Sequence, residues 1–294
     1  MTALPEVVCV GAATIDTIAL VDGLPGPDER IVADEIVTAG GGPAATAAVT
    51  LARLGVAVGF CGVVGDDDDG RTLRAGLEAE GVDVRWLRTE RGVRTARSIV
   101  LVQRESGARA IVTTGGARPD AAAVPADVGW LHADQSGYAA VRAARRHGAR
   151  VSLDDGNAVD DLDLRAVDLY APTASVLAAR FGDDLEDALR AARAAGAGAV
   201  VATAGADGAY HLDGDAVAHT AAVPADVVST LGAGDVFHGA LLAALVNGAP
   251  LGDAVASASW VAAASTRALD GRAAIPHATD LPRRFAVREG TPAP

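Results

Sequence analysis

The chain has 294 residues, enough for one large α/β domain or two small ones, and half of its residues are hydrophobic. Its formal charge of −13 excludes nucleic acid and anionic membrane as partners, since neither would be attracted. Cys9 and Cys61, the two cysteines, each lie in an apolar run. Buried reduced thiols are expected there, and a cysteine metal site is not.

Val7-Val8-Cys9-Val10-Gly11 is a short β-branched run and predicts a buried first strand. Asp16 interrupts the apolar residues that follow, and no basic segment or cleavage site frames them, so the start reads as a strand and not a signal peptide. Apolar stretches such as 236–246 are too short to span a bilayer, and a soluble cytoplasmic protein is expected. Asp16 lies just past the first strand, where open α/β sheets bind ligands, although a plain turn carboxylate fits as well. Two pairs of strand-like pieces, Thr17–Val21 with Arg30–Val37 and Arg97–Arg104 with Arg109–Thr114, have no helix between their strands. They predict a small separate sheet drawn from about 12–38 and 95–114 of a single domain.

Gly40-Gly41-Gly42-Pro43 opens a helix predicted to run to about Leu54, and the glycines permit close backbone approach to a ligand. Four consecutive aspartates, Asp66 to Asp69, precede a helix over Arg71–Glu80. They lack the offsets of a calcium loop and suit helix capping. From Trp130 strands and helices alternate: Trp130–Ala133, 138–147, Arg150–Leu153, 174–180, 184–195 and Ala199–Thr203. This is the pattern of a parallel sheet covered by helices. Thr203-Ala204-Gly205-Ala206-Asp207-Gly208 then turns tightly, and by itself reads equally as a hairpin turn. Two helices follow at about 236–247 and 251–268, the second rich in small residues that permit close packing. Residues 283–294 read as a frayed tail.

Ser229-Thr230-Leu231-Gly232-Ala233-Gly234-Asp235 leads into the first of these two helices. A helix start offers unpaired N–H groups and a partial positive charge to an anion. An acid beside such an anion hole suits a base that deprotonates a hydroxyl while the amides stabilise a phosphoryl group. Spacing alone leaves open a glycine loop whose Asp235 only stabilises the helix start.

Gly232-Ala233-Gly234-Asp235 with Phe237 and Gly239-Ala240 resembles the C-terminal signature of the ribokinase-like (PfkB) sugar kinases. Gly40 to Ala44, running into Ala52-Arg53-Leu54-Gly55 and Gly65-Asp66-Asp67, resembles their N-terminal signature. The resemblance implies a central, mostly parallel sheet flanked by helices with a β-sheet lid over the sugar. It implies ATP and Mg²⁺, with Asp235 as base beside Gly232, Ala233 and Gly234. It places sugar hydroxyls on Asp16 and beside Gly40, Gly41 and Gly42, and nucleotide phosphates at Thr203, Gly205 and Gly208. It sets adenine near Ala263 and Gly271, and implies a homodimer through paired lids. No metal ligand is assigned, because the family's Asn-x-x-Glu element is missing around Ala171–Val176.

Gly234-Asp235-Val236-Phe237-His238-Gly239 and Gly271-Arg272-Ala273-Ala274-Ile275-Pro276 are most similar to the subgroup that phosphorylates the 1-hydroxyl of 6-deoxy-6-sulfofructose. Arg30 is then matched to the sulfonate, though an exposed lid arginine fits equally. Alternatives are another ketohexose or sugar-acid kinase of the fructokinase, ribokinase or 2-keto-3-deoxygluconate kinase type, a nucleoside kinase, or a silent sugar sensor.

Overall fold

A computed structural model describes residues 4–125, 127–144 and 148–285. The expected tail falls outside these residues from 286 on, as does the end of the helix expected over 138–147.

Thirteen strands divide between two sheets among the described residues. In the large sheet β1 (Val7–Val10) pairs in parallel with β4 (Val58–Gly65) on one side and β8 (Trp130–Ala133) on the other. Beyond β4 lies β5 (Asp83–Glu90); beyond β8 come β9 (Arg150–Asp155), β10 (Leu169–Pro172) and β11 (Ala199–Thr203), all parallel. The hairpin β12 (Ala209–Asp213) and β13 (Ala216–Thr220) closes the far edge antiparallel. All residues of β1 and β4 are buried, as expected of strands covered on both faces.

Helices α1 (Pro43–Arg53), α2 (Asp68–Ala79), α6 (Ala233–Val246) and α7 (Leu251–Ser265) cover one face, packing Leu51, Leu77, Leu241 and Val255 with Val7, Cys9 and Phe60. On the other face α3 (Tyr138–Ala144), α4 (Ala174–Phe181) and α5 (Leu185–Ala194) pack Val141, Leu177 and Leu189 over Val151, Leu153 and Val200. Both cysteines are buried and free, and burial pushes each thiol upward, so neither is reactive.

The small sheet orders as β3 (Glu35–Gly41), β2 (Thr14–Val21), β6 (Ala96–Gln103) and β7 (Arg109–Thr113). The second strand of the first pair therefore starts at Glu35, not Arg30, and runs through Gly40 and Gly41. Arg30 lies exposed in the connecting loop. Pairing to β2 residue by residue, Gly41 opposite Thr14 and Gly40 opposite Ile15, is what extends the strand into the glycines. Strands β4, β5, β10 and β13 go beyond the elements that the sequence pattern predicts. The first two lie between helix signals that dominate that stretch, and β10 is four residues long.

The aspartate run serves as caps. Asp67 accepts the Gly70 N–H at 2.8 Å and the Thr95 N–H at 2.9 Å, fixing the start of α2 to the loop before β6. Asp68 and Asp69 pair with Arg71 and Arg97. Close packing sets the position of α6. A Cβ on Gly239 would stand 2.7 Å from the Ala47 carbonyl, so glycine lets α6 lie against α1.

Candidate active site

The sheets enclose a cleft of about 640 Å³. Asp16, Gly40, Gly41, Gly42, Thr203, Gly232, Gly234, Asp235 and Gly271 all line it, although the sequence spreads them over most of the chain. Ala233, Gly205, Gly208 and Ala263 are not part of this lining. Gly205 opens the short turn after β11, and the Ala263 carbonyl accepts the Thr266 hydroxyl at 2.8 Å. Arg30 does not line the cleft either.

Gly232 takes a left-handed conformation (φ 72°) and caps α6, so Asp235 is the third residue of the helix. The Ala233 N–H donates to the Thr230 carbonyl at 3.3 Å, which leaves Gly234 and Asp235 to offer the N–H groups that helix geometry cannot pair. The Asp235 side chain opens on the cleft. Burial pushes its carboxyl up to about 7, and the negative charge of Asp154 adds to the shift, while His238 and Arg109 oppose it. A carboxyl that titrates near neutrality suits a general base.

On the opposite wall Asp16 is buried on β2 and accepts the Thr14 hydroxyl at 2.8 Å. The glycine run is needed here for side chains of the protein itself. A Cβ on Gly41 would stand 2.6 Å from the Asp16 carboxyl carbon, and one on Gly40 would stand 2.7 Å from an Arg272 nitrogen. Gly42, at φ 92°, caps α1. Arg272 donates to the Gly41 carbonyl at 2.8 Å and to Thr46 Oγ1 at 3.1 Å, bracing the run from behind. Burial lowers its guanidinium to about 10 against the pull of Asp16 and Asp235, so it stays charged. Arg53, itself paired with Glu80, donates to the carbonyls of Arg272 and Ile275 and holds that loop.

Further residues of the site escaped the sequence reading as participants. Asp134, at the end of β8, is fully buried and accepts N–H groups from Ala12, Ala44, Ser136 and Gly137. Burial, with the charge of Asp154, raises its carboxyl to about 6 against these bonds. Asp154, at the end of β9, lies 3.0 Å from His238 Nδ1. Arg109 on β7 donates to Thr230 Oγ1 at 3.2 Å, and Thr230 donates both its N–H and its hydroxyl to the Gly107 carbonyl at 3.0 Å. The small sheet therefore rests on the loop that leads into Gly232. The signal for His238 was its spacing, one helical turn beyond Asp235. Nothing in the local sequence marked Asp134.

Among the described residues no group of three or more His, Cys, Asp or Glu side chains could hold a metal ion. At the position of the missing Asn-x-x-Glu element, Thr173 caps α4 by accepting the Val176 N–H at 3.3 Å. The residues present do not make a free-standing magnesium site. No described helix is long and apolar enough to cross a membrane.

A parallel sheet under a small β roof, with a carboxylate at a helix start inside the cleft, defines a ribokinase-like enzyme. Residues 4–278 match the model of the pfkB family carbohydrate kinases. The chain belongs to this family, and it is a phosphotransferase. Fructokinase of Klebsiella pneumoniae is 31% identical over 302 residues, which span 90% of this chain and 96% of that protein. Aminoimidazole riboside kinase of Salmonella typhimurium is 29% identical over 315 residues, 96% of this chain and 95% of that one. The ribokinase of Arabidopsis thaliana, solved with ribose and ATP, shares the fold with a TM-score of 0.79 at 24% identity, covering 97% of this chain and 98% of that chain.

Proposed function

We propose that the protein transfers the γ-phosphoryl group of ATP to a primary hydroxyl of a monosaccharide, with Asp235 as the base. The observation that carries this reading is one cleft holding Asp16 on one wall and Asp235 at the α6 start on the other. Asp16 would hold sugar hydroxyls. The sugar oxygen attacks the γ-phosphorus, its proton passes to Asp235, and the bond from that phosphorus to the bridging oxygen breaks to release ADP. The N–H groups of Gly234 and Asp235, at the positive end of α6, would face the charge on the moving group. Thr203, Gly205 and Gly208 would take the nucleotide phosphates, with Ala263 and Gly271 towards the adenine. Mg²⁺, carried on those phosphates, would neutralise their charge.

The resemblance of the stretches at Gly234 and Gly271 supports 6-deoxy-6-sulfofructose as substrate, but Arg30, the residue matched to its sulfonate, stands in an exposed loop outside the cleft lining. The cleft wall beneath the small sheet carries Ser98, Thr113, Thr114, Gln135 and Ser136, with the charged Asp16 and Arg109 among them. Measuring ADP release over fructose, ribose, 2-keto-3-deoxygluconate and 6-deoxy-6-sulfofructose tests both levels. Turnover is expected on at least one sugar, with the sulfonated one no better than fructose. A strong preference for the sulfonated sugar would restore that reading. Tight sugar binding without turnover on any of them would make the protein a sensor.

A homodimer through the small sheets is part of the same proposal. Ile36, Ile99 and Val112 stand on the outer face of that sheet, 66%, 59% and 72% exposed. Neighbouring apolar side chains at this exposure suit a second copy of the face. Sedimentation is expected to give a dimer, and the pair Ile99→Lys and Val112→Lys a monomer. A monomeric wild-type chain would reject the pairing.

A further inference from the structure

The base does not stand alone. His238 follows Asp235 by three residues on α6, so both side chains occupy one side of the helix start. His238 is 3% exposed, and its Nδ1 lies 3.0 Å from Oδ2 of Asp154. The other oxygen of Asp154 accepts the Gly156 N–H at 2.8 Å, which fixes the carboxylate towards the imidazole. Both residues also border the cleft.

The surroundings decide where the charge sits. His132 on β8 has its ring centre 6.2 Å from that of His238, and its Nδ1 lies 3.0 Å from Ser152 Oγ. Burial and the neighbouring His238 charge lower His132 to about 4, so it stays neutral. Asp154 and Asp235 raise His238 against the effect of burial, and His238 in turn lowers Asp154. Asp134 from β8 faces Asp235 with a like charge, and Arg109 from β7 and Arg272 from the loop after α7 face it with opposite ones. Helix α1 brings no titratable group here, since its Arg53 turns to Glu80. On α7 the ionisable residue, Asp253, is exposed.

We propose that His238 is a positioning residue: paired with Asp154 as an imidazolium, it offsets that carboxylate, so that Asp235 beside it is not locked in its protonated form and can act as a base at neutral pH. The proposal rests on the reading of Asp235 as the base. Two neighbouring carboxylates without a cation between them retain a shared proton, which would silence the base over much of the physiological range. The pair His238–Asp154 removes that competition without placing a free cation where the sugar hydroxyl must lose its proton.

The test is a charge cycle on the ligand-free chain and on its turnover. Aspartate carboxyl carbons are titrated by NMR, with the Asp235 signal identified by its loss in Asp235→Asn. The acid limb of kcat/KM for sugar is measured alongside. In His238→Asn both midpoints are expected to rise by about one pH unit or more, the range for an opposite charge within a few ångströms. In the double variant Asp154→Asn, His238→Asn both are expected to return to within about half a unit of wild type, because both charges leave together. A merely structural histidine would not be rescued by removal of its partner. An unmoved Asp235 midpoint in His238→Asn, or a double variant that stays raised, overturns the proposal. Should His238→Asn fail to fold, Asp154→Asn decides: a midpoint at or below wild type supports the pair, and a higher one overturns it. A chain that turns over no sugar would sink the kinase reading alone and leave the NMR titration to judge the pair.

Discussion

Asp235→Asn is expected to lose at least about a hundredfold in kcat, the lower range of what a positioned base contributes. The variant should bind ATP at least as tightly as wild type, because one negative charge leaves the surroundings of the phosphates. It should also be more stable. The Asp235 carboxyl is raised from the usual carboxylate range to about 7 by burial and by Asp154, so the folded state favours the protonated form. The stability that this preference supplies is fully present below the ordinary carboxylate pKa and is lost as pH rises through about 7. Asparagine stays neutral, so the gain should be largest above pH 7 and should vanish in acid. A rise in Tm of about 2 °C or more at neutral pH is the scale that about 1 kcal/mol gives in a chain of this size. Near-normal turnover, with no gain in Tm, would remove Asp235 from the mechanism and from its strained setting. A residue kept at a cost to stability is what a functional site predicts.

Most of the fold was legible because its strands and helices differ in period and its glycines mark the joints. The continuous apolar run Val7–Val10 and the strand–helix alternation from Trp130 each reflect a sheet covered on both faces. Asp235 was legible because all of its setting, glycine cap, helix start and acid, lies within a few consecutive residues. The role of the Gly40 to Gly42 run was legible only in part. Its glycines signalled close approach, but the groups approached are Asp16 and Arg272, distant in sequence. The start of the second strand shifts for a related reason: strand propensity is a local signal, while the register with β2 begins the pairing at Glu35 and leaves Arg30 in the loop. The partners of the base were illegible as a set, since β9, β7 and α6 are brought together only by the sheet order. Electrostatics in this cleft is a property of that convergence, not of any motif.

The clearest such case is Asp134, where the sequence shows an ordinary acid and the structure shows a clasp. Its Oδ2 accepts the Ala12 N–H at 2.8 Å and the Ala44 N–H at 3.3 Å; its Oδ1 accepts those of Ser136 and Gly137 at 2.8 and 2.9 Å. Helix α1 has no side-chain cap of its own, because Gly42 occupies the cap position. Asp134 supplies the missing acceptor from another strand, and so joins the end of β1 to the helix behind the sugar wall. A side chain on Gly11 would strike this carboxyl, which explains a glycine directly after β1. Asp134→Ala would leave these N–H groups without their charged acceptor, at about 1–3 kcal/mol for each that stays buried and unpaired. Relief of the carboxylate's own burial, visible in its rise to about 6, offsets part of this. The net loss is expected at roughly 3 kcal/mol, read as a lower urea midpoint with an unchanged slope. Asp134→Asn keeps one oxygen acceptor and should lose clearly less. A loss below about 1 kcal/mol in the alanine variant would mean that water serves these donors equally well, and that the bond from Arg272 to Thr46 and the packing of Gly239 against Ala47 hold α1 at the cleft without Asp134.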